Sequence, residues 1–294
     1  MKRIFLTTLV LIFLLAGYGV SLAENEAGDS VSPVVVPEEE MAAPEGAGVE
    51  SPQEEIVAPI AVAPVVEIDK LDQADELMED DGGLENCKLA LDICLQEVKK
   101  NPGDYRANWM AAKACREFAS ETKKSEAKGW EETCKIYGKK GMEFAEKAIQ
   151  LDPKQPEGHY WFGMNVGIYS DGVSILTALK EGLKGKTQTS FEAVYNIDKL
   201  YDKGGPIVAL GRFYYVLPWI AGQDKDKSME YYREFQKTEF YRNPDAVEFN
   251  VYFAELLMEK KGTKEEAKAL LLDVPKISKD QYWNKKAKAL LAEM

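Results

Sequence analysis

Apolar residues recur every three or four positions from residue 67 to the end of this chain. Leu71, Ala74 and Leu77 begin the pattern, and similar stretches follow it. This spacing is typical of helices with one buried face, and no sustained Val/Ile/Thr alternation indicates a strand. Turn signals such as Asp152-Pro153 and Asn243-Pro244 separate the stretches. We therefore predict an all-α fold of twelve helices. After the first two, the predicted helices cover residues 105–119, 130–151, 157–169, 173–183, 191–201, 206–217, 227–241, 246–259, 264–272 and 281–292.

Small and large residues alternate along these helices in a repeating order. Leu210-Gly211 with Tyr214 matches the first helix of a tetratricopeptide repeat, and Phe162-Gly163 with Val166 matches it more loosely. In such repeats a small residue lets paired helices approach, and a large one fills the space beside it. Gly163 and Gly211 are farther apart than the usual period of about 34 residues. The pattern predicts a tetratricopeptide-like helical-repeat solenoid whose repeats are elongated or carry insertions, notably near 119–136 and 184–204.

The first 66 residues divide into an export signal and a linker. Lys2 and Arg3 precede an apolar run that ends in Ser21-Leu22-Ala23, which is typical of a signal peptide, so residues 1–23 are predicted to be cleaved after Ala23. An uncleaved inner-membrane anchor is the alternative. Residues 24–66 carry ten acidic residues, no basic residue and many prolines, and are predicted to be a disordered linker. The helical domain then occupies residues 67–294.

The net charge and the absence of known site motifs exclude several classes of function. The formal net charge is −13, which argues against nucleic acid as a partner. The chain has a single histidine, His159, and no spacing typical of a metal site, a phosphate loop or a catalytic pair. We therefore expect a protein that is not an enzyme and that needs no metal or cofactor.

Two segments of the chain resemble the T component of tripartite ATP-independent periplasmic (TRAP) transporters. They are Gly158-His159-Tyr160-Trp161-Phe162-Gly163-Met164-Asn165 and the later Gly204-Gly205-Pro206, Leu210-Gly211-Arg212 with Tyr214, Leu217-Pro218 and Gly222-Gln223-Asp224-Lys225. The resemblance implies an exported, soluble periplasmic protein that docks the transporter's substrate-binding protein. It also implies a homo-oligomer such as a trimer, and a groove for a hydrophobic or organic-acid ligand. Members of that family are often lipoproteins, whereas no cysteine precedes Cys87 here, so we expect no lipid anchor.

Polar and aromatic residues in and beside the two segments are the candidates for that groove. Such residues on helix positions not needed for repeat packing suit a ligand-binding wall. Arg212 could bind a ligand carboxylate through its guanidinium, although such an arginine is more often part of a surface ion pair. The alternative for the aromatic residues is burial in the core. The candidates are Tyr160, Trp161, Asn165, Tyr169, Arg212, Tyr215 and Trp219.

The four cysteines lie at Cys87, Cys94, Cys115 and Cys134. In an exported protein they favour disulfides. Two turns of one helix separate Cys87 from Cys94, which is too far for a bond between them. If all four pair, the bridges are 87–115 with 94–134, or 87–134 with 94–115. The alternative is four buried small apolar side chains.

The sequence thus predicts an exported tetratricopeptide-like binding protein, and the resemblance makes it an accessory component of a TRAP-type uptake system. The alternative is a ligand-free protein–protein interaction scaffold of the cell envelope.

Overall fold

The computed structural model describes residues 69–79 and 83–294. The predicted signal peptide and linker lie outside these residues. The described residues form twelve α-helices and no strand, and all the helices belong to one compact unit. The helices are α1 (Lys70–Glu79), α2 (Gly83–Lys100), α3 (Tyr105–Lys124), α4 (Trp130–Leu151), α5 (Pro156–Val173), α6 (Ile175–Lys180), α7 (Leu183–Asp198), α8 (Tyr201–Val216), α9 (Lys225–Phe235), α10 (Val247–Met258), α11 (Lys264–Ile277) and α12 (Gln281–Ala292).

The helices pack as antiparallel neighbours in chain order. α2 lies against α3, α3 against α4, α4 against α5, α8 against α9 and α10 against α11, while α5 packs on α7 across the short α6. Helices linked by short connections pack in this way in α-solenoids. The predicted all-α helical-repeat solenoid is confirmed.

The small–large pairs of the repeat pattern lie where paired helices meet. A Cβ atom added to Gly163 on α5 would lie 2.3 Å from the Phe191 ring on α7. One added to Gly211 on α8 would lie 2.4 Å from the Tyr232 ring on α9. Both rings are buried. Because only a hydrogen fits at these positions, the glycines set how closely the helices approach.

Several helix boundaries differ from the predicted ones: α7 begins at Leu183 where residue 191 was predicted, and α9 ends at Phe235 where residue 241 was predicted. Two of the differences follow from the conformation of single backbone residues. The stretch 173–183 is interrupted because Ser174 has a φ of 111° and caps the one-and-a-half-turn α6, and Gly182, with a φ of 75°, then precedes α7. α8 starts before Pro206 with a left-handed turn in which Asp202, Lys203 and Gly204 all have positive φ. The spacing of apolar residues does not depend on the φ of a single residue, so it could not predict these two boundaries.

The last helix returns to the first half of the chain. Lys285 on α12 pairs with Glu126, which follows α3, and Asp280 at the start of α12 pairs with Lys124 at 3.4 Å. The array therefore curves until its C-terminal helix meets the end of α3. None of the helices in residues 69–79 and 83–294 is long and apolar enough to span a membrane.

The cysteines form no disulfide. All four side chains are free thiols and are buried in the helical core. Neither predicted connectivity is present, so the predicted disulfides are not supported. The alternative of buried small apolar residues describes these cysteines, since Cys94 and Cys115 pack in one apolar cluster with Leu91 and Met110.

A cavity on the inner side of the curved array

A cavity of about 550 Å³, partly open to solvent, lies on the inner side of the curved array. Its lining comes from α3, α5, α6, α7, α8, α10 and α12, so helices far apart in sequence face one space. The volume lies within the range of roughly 300–1,000 Å³ that is usual for small-molecule sites. The inner side of the solenoid is therefore the candidate functional site.

One wall of the cavity is apolar and is supplied by α5–α8 and the residue after α8. Leu179 on α6 and Leu183 on α7 line this wall, in a stretch where the sequence predicted one continuous helix over 173–183. The apolar residues of this wall include Met164, Val166, Ile168, Ile175, Ala178, Leu179, Leu183, Phe191, Val208, Ala209, Phe213, Val216 and Leu217. This wall suits the hydrocarbon portion of a ligand.

Basic residues outnumber acidic ones in the rest of the lining. The cations are Arg116, Lys123, Lys124, Lys184, Arg212 and Lys286, and the acids are Asp171 and Glu248. Carboxylates orient most of these cations: Lys123 pairs with Asp171 at 2.6 Å, and Arg116 pairs with Glu117 at 3.0 Å. Lys184 has no ion pair within the described part of the chain. The cavity is therefore both apolar and basic.

Tyr252 on α10 organises part of the basic lining. The Arg212 guanidinium lies 4.1 Å from its ring centroid and the Lys286 ammonium 5.4 Å from it. Both cations also pair with Glu255, one turn further along α10. Burial, together with nearby Arg212, lowers the pKa of Lys286, although Glu255 opposes that shift. An anion placed here would therefore relieve repulsion between cations.

Tyr160 on α5 is buried and also lines the cavity. It lies near the Asp202 carboxylate, in the left-handed turn of α8. Burial and the carboxylates of Asp202 and Glu248 raise the pKa of Tyr160 well above its usual value. The phenol therefore stays protonated and acts as a hydrogen-bond donor.

Three predicted groove residues lie in the core instead. Trp161 is buried and donates to the Tyr201 hydroxyl at 3.2 Å. Asn165 is fully buried and donates to the backbone carbonyls of Ala112 and Trp161. Tyr169 is buried and donates to Glu181 at 3.0 Å. Their side chains point between packed helices, so their polar groups serve helix packing and not the cavity.

Two further candidates lie on the outside. Tyr215 donates to Glu259 at 2.7 Å, away from the cavity lining. Trp219 is 82% exposed in the short 3₁₀ turn that follows α8. Of the seven candidates, the structure therefore places only Tyr160 and Arg212 in the cavity.

Sequence reasoning missed Arg116, Glu248 and Lys286. These residues belong to α3, α10 and α12, outside the two segments that carry the TRAP resemblance. Each is an ordinary charged residue on a helix face, and only the curvature of the whole array brings them together. No group of three His, Cys, Asp or Glu side chains in the described residues could hold a metal ion.

The fold and the cavity define a tetratricopeptide-like helical-repeat protein, and comparisons with known proteins agree with this class. Residues 70–202, less than half of the chain, match the family model described as regulator of microtubule dynamics protein 1-3. The structure is similar to that of a thermophilic TPR (tetratricopeptide repeat) protein from Thermus thermophilus, with a TM-score of 0.52. That similarity has 16% identity and covers 76% of this chain and 97% of the other. At this identity the likeness concerns the fold alone. No curated protein matches the sequence.

Proposed function

We propose that this protein is a non-enzymatic binding scaffold whose cavity holds an organic anion with an apolar portion. The observation that carries the proposal is the composition of the cavity, which joins an apolar wall from α5–α8 to cations from α3, α8 and α12. Hydrogen bonds from arginine or lysine to an anion are stronger than neutral ones. The apolar wall would bind the remainder of the ligand by excluding water.

Isothermal titration calorimetry with decanoate tests this proposal, and decanol is the matched uncharged probe. We expect decanoate to bind more tightly than decanol. Replacement of Arg116→Gln or Lys286→Gln should weaken decanoate binding at least tenfold, which corresponds to about 1.4 kcal/mol. Lys260→Gln is the control because Lys260 pairs with Asp226 outside the cavity lining. Absence of decanoate binding, or equal affinity for decanol, would contradict the proposal.

The TRAP resemblance supports a finer form of this function. In that form the protein is exported to the periplasm and is an accessory component of a TRAP-type uptake system. Tyr160, Gly163 and Arg212, which belong to the resembling segments, line the cavity. The intact mass of the protein recovered from the periplasm tests the export step, since cleavage after Ala23 gives a defined mature mass. Recovery of the full-length chain in the membrane fraction would favour the uncleaved anchor instead.

An exposed turn favours a protein partner in addition to a small ligand. Trp219 is 82% exposed and the adjacent Ile220 70%, the two most exposed large apolar side chains of the described residues. The turn is held rigidly, since Gln223 donates to the Tyr215 carbonyl at 2.7 Å and the Asp224 amide donates to the Tyr214 carbonyl at 3.0 Å. Preorganised aromatic residues are typical anchors of protein interfaces. We propose that this turn contacts the substrate-binding protein or a second copy of the chain.

Sedimentation velocity of the purified protein, alone and mixed with a TRAP substrate-binding protein, tests this docking role. We expect a complex, or a homo-oligomer such as a trimer, that is lost when Trp219→Ser and Ile220→Ser are combined. Leu272→Ser is the control because Leu272 is another exposed apolar residue. Decanoate binding with no association of either kind would leave the ligand function without the docking role. Association without decanoate binding would favour a ligand-free scaffold.

A further inference from the structure

Three polar side chains in the cavity have hydrogen-bonding capacity that the protein does not use. Arg116 bonds Glu117 through Nη1 alone, which leaves the rest of its guanidinium unpaired. Glu248 makes no hydrogen bond or ion pair with any described residue, although it is only partly exposed. The hydroxyl of Tyr252, one turn after Glu248 on α10, also has no partner among them. Partly buried polar groups without partners are costly unless a ligand or water satisfies them.

Arg116 and Glu248 carry opposite charges but are held apart. Both line the cavity, one from α3 and the other from α10, and they form no ion pair. Both lie near the same phenols: beyond the effect of burial, Glu248 raises and Arg116 lowers the pKa of Tyr160 and of Tyr252. The cavity therefore presents an anion and a cation across a gap lined by two phenol rings.

A ligand group that complements such a gap carries both charges. A simple carboxylate would bind Arg116 but would leave Glu248 unpaired and would be repelled by it. An ammonium alone would pair with Glu248 but would meet Arg116, Arg212 and Lys286. A carboxylate and an ammonium on neighbouring atoms can satisfy both residues, and the carboxylate can also accept a hydrogen bond from the Tyr252 hydroxyl.

We propose that the ligand of this cavity is a zwitterionic amphiphile, with its ammonium bound by Glu248, its anionic group bound by Arg116 and Lys286, and its apolar chain on the wall formed by α5–α8. This inference rests on the proposed function and deepens it, because it names the class of ligand for the same cavity. Glu248 becomes the residue that determines specificity, since it separates zwitterions from plain anions of the same length.

Calorimetric titration with 2-aminodecanoate, decanoate and decylamine tests the inference. These probes share one chain length and differ only in the charged groups of the head. We expect 2-aminodecanoate to bind at least tenfold more tightly than decanoate, with decylamine the weakest. Glu248→Gln should remove the preference for the amino acid, because the neutral amide no longer attracts the ammonium. The same change should leave decanoate binding unchanged or strengthen it, which a merely structural role for Glu248 would not produce.

Glu230→Gln is the matched control, since Glu230 is an exposed carboxylate on α9 that does not line the cavity. Thermal melting of both variants shows whether they remain folded. Decanoate binding as tight as that of 2-aminodecanoate, or a preference that survives Glu248→Gln, would overturn the zwitterion inference and leave the organic-anion function intact. Failure of all three probes to bind would overturn both.

Discussion

The four cysteine thiols show how burial sets the chemistry of single residues in this protein. Burial raises the pKa of Cys87, Cys94 and Cys115 from 9.0 to about 12, and that of Cys134 to about 11. The thiolate is the reactive form of cysteine. The native protein should therefore hold four inert thiols, whether or not its environment is oxidising.

This burial predicts how stability depends on pH. The folded protein keeps its thiols protonated while the unfolded chain ionises them near pH 9, so the unfolded state binds fewer protons above that pH. Stability should fall between about pH 9 and pH 12, by about 1.4 kcal/mol per pH unit for each thiol. Urea unfolding at a series of pH values measures this. Cys115→Ala should make the decline shallower, and an unchanged slope would contradict the assignment.

Lys203 is one of four described non-glycine residues with a positive φ. Its φ of 56° is left-handed, and its side chain pairs with Asp245 at 2.5 Å. A left-handed conformation costs about 1–2 kcal/mol in a residue with a Cβ and little in glycine. Lys203→Gly and Lys203→Ala both remove the ion pair, but only the first removes the strain. We expect the glycine variant to be more stable than the alanine variant by about 1 kcal/mol in urea unfolding, and equal stabilities would show that the turn is not strained.

The candidate site could be predicted only in part at this scale. Arg212 and Tyr160 stand in motif segments that line the cavity, so local sequence was enough to select them. Asn165 and Tyr169 belong to the same helix as Tyr160 but point between helices. The packing of α4 and α7 against α5 determines which face of α5 lines the cavity. The residue types on α5 alone do not predict that face.

At the scale of helices and their pairs, the glycines of the repeat pattern are the residues whose packing the sequence predicted best. The repeat pattern predicted that Gly211 lies where a large side chain packs, and the structure places the Tyr232 ring directly over Gly211. Helices α4 and α12 have the bounds that apolar spacing predicted. The interruption at Ser174 and the left-handed start of α8 could not be predicted, because apolar spacing is blind to the φ of single residues.

A methyl group at Gly211 tests this packing. The Tyr232 ring cannot easily move, because it is fully buried against Phe249 and Phe253. Overpacking of this kind costs about 1–3 kcal/mol. Gly211→Ala should therefore destabilise the protein, although alanine favours helix by about 1 kcal/mol. Gly185→Ala is the control, since an added Cβ there meets no atom within 4 Å, and it should be stabilising. Equal changes in melting temperature would contradict the close approach.

At the scale of the whole molecule, the decisive feature is the return of α12 to the end of α3. Apolar spacing predicted the number of helices and the positions of most of them, but the return of α12 and the cavity beside it could not be predicted. They depend on small rotations between successive helix pairs that accumulate over the array. Trp283 fixes the returning helix, since it is buried and packs edge-on against Tyr252.

Carbodiimide coupling tests the closure in solution. The reagent joins an amine directly to a carboxylate, so it should link Lys285 to Glu126, whose side chains form an ion pair. Mass spectrometry of a protease digest should show this linked peptide in the monomer. Lys285→Gln should lose it while keeping local links such as that between Lys88 and Asp92. A digest with local links only would contradict the closed array.

The contact between α12 and the end of α3 also changes how the protein should unfold. In an open solenoid each repeat touches only its neighbours, so the end repeats fray first and unfolding spreads inward. Here the last helix is bonded to a segment 159 residues earlier in the chain. Fraying of the C-terminal end therefore requires a contact across the ring to break, and cooperativity extends beyond neighbouring repeats. Amide exchange in α12 should therefore be faster in Lys285→Gln, which loses the ion pair to Glu126, than in the unchanged protein.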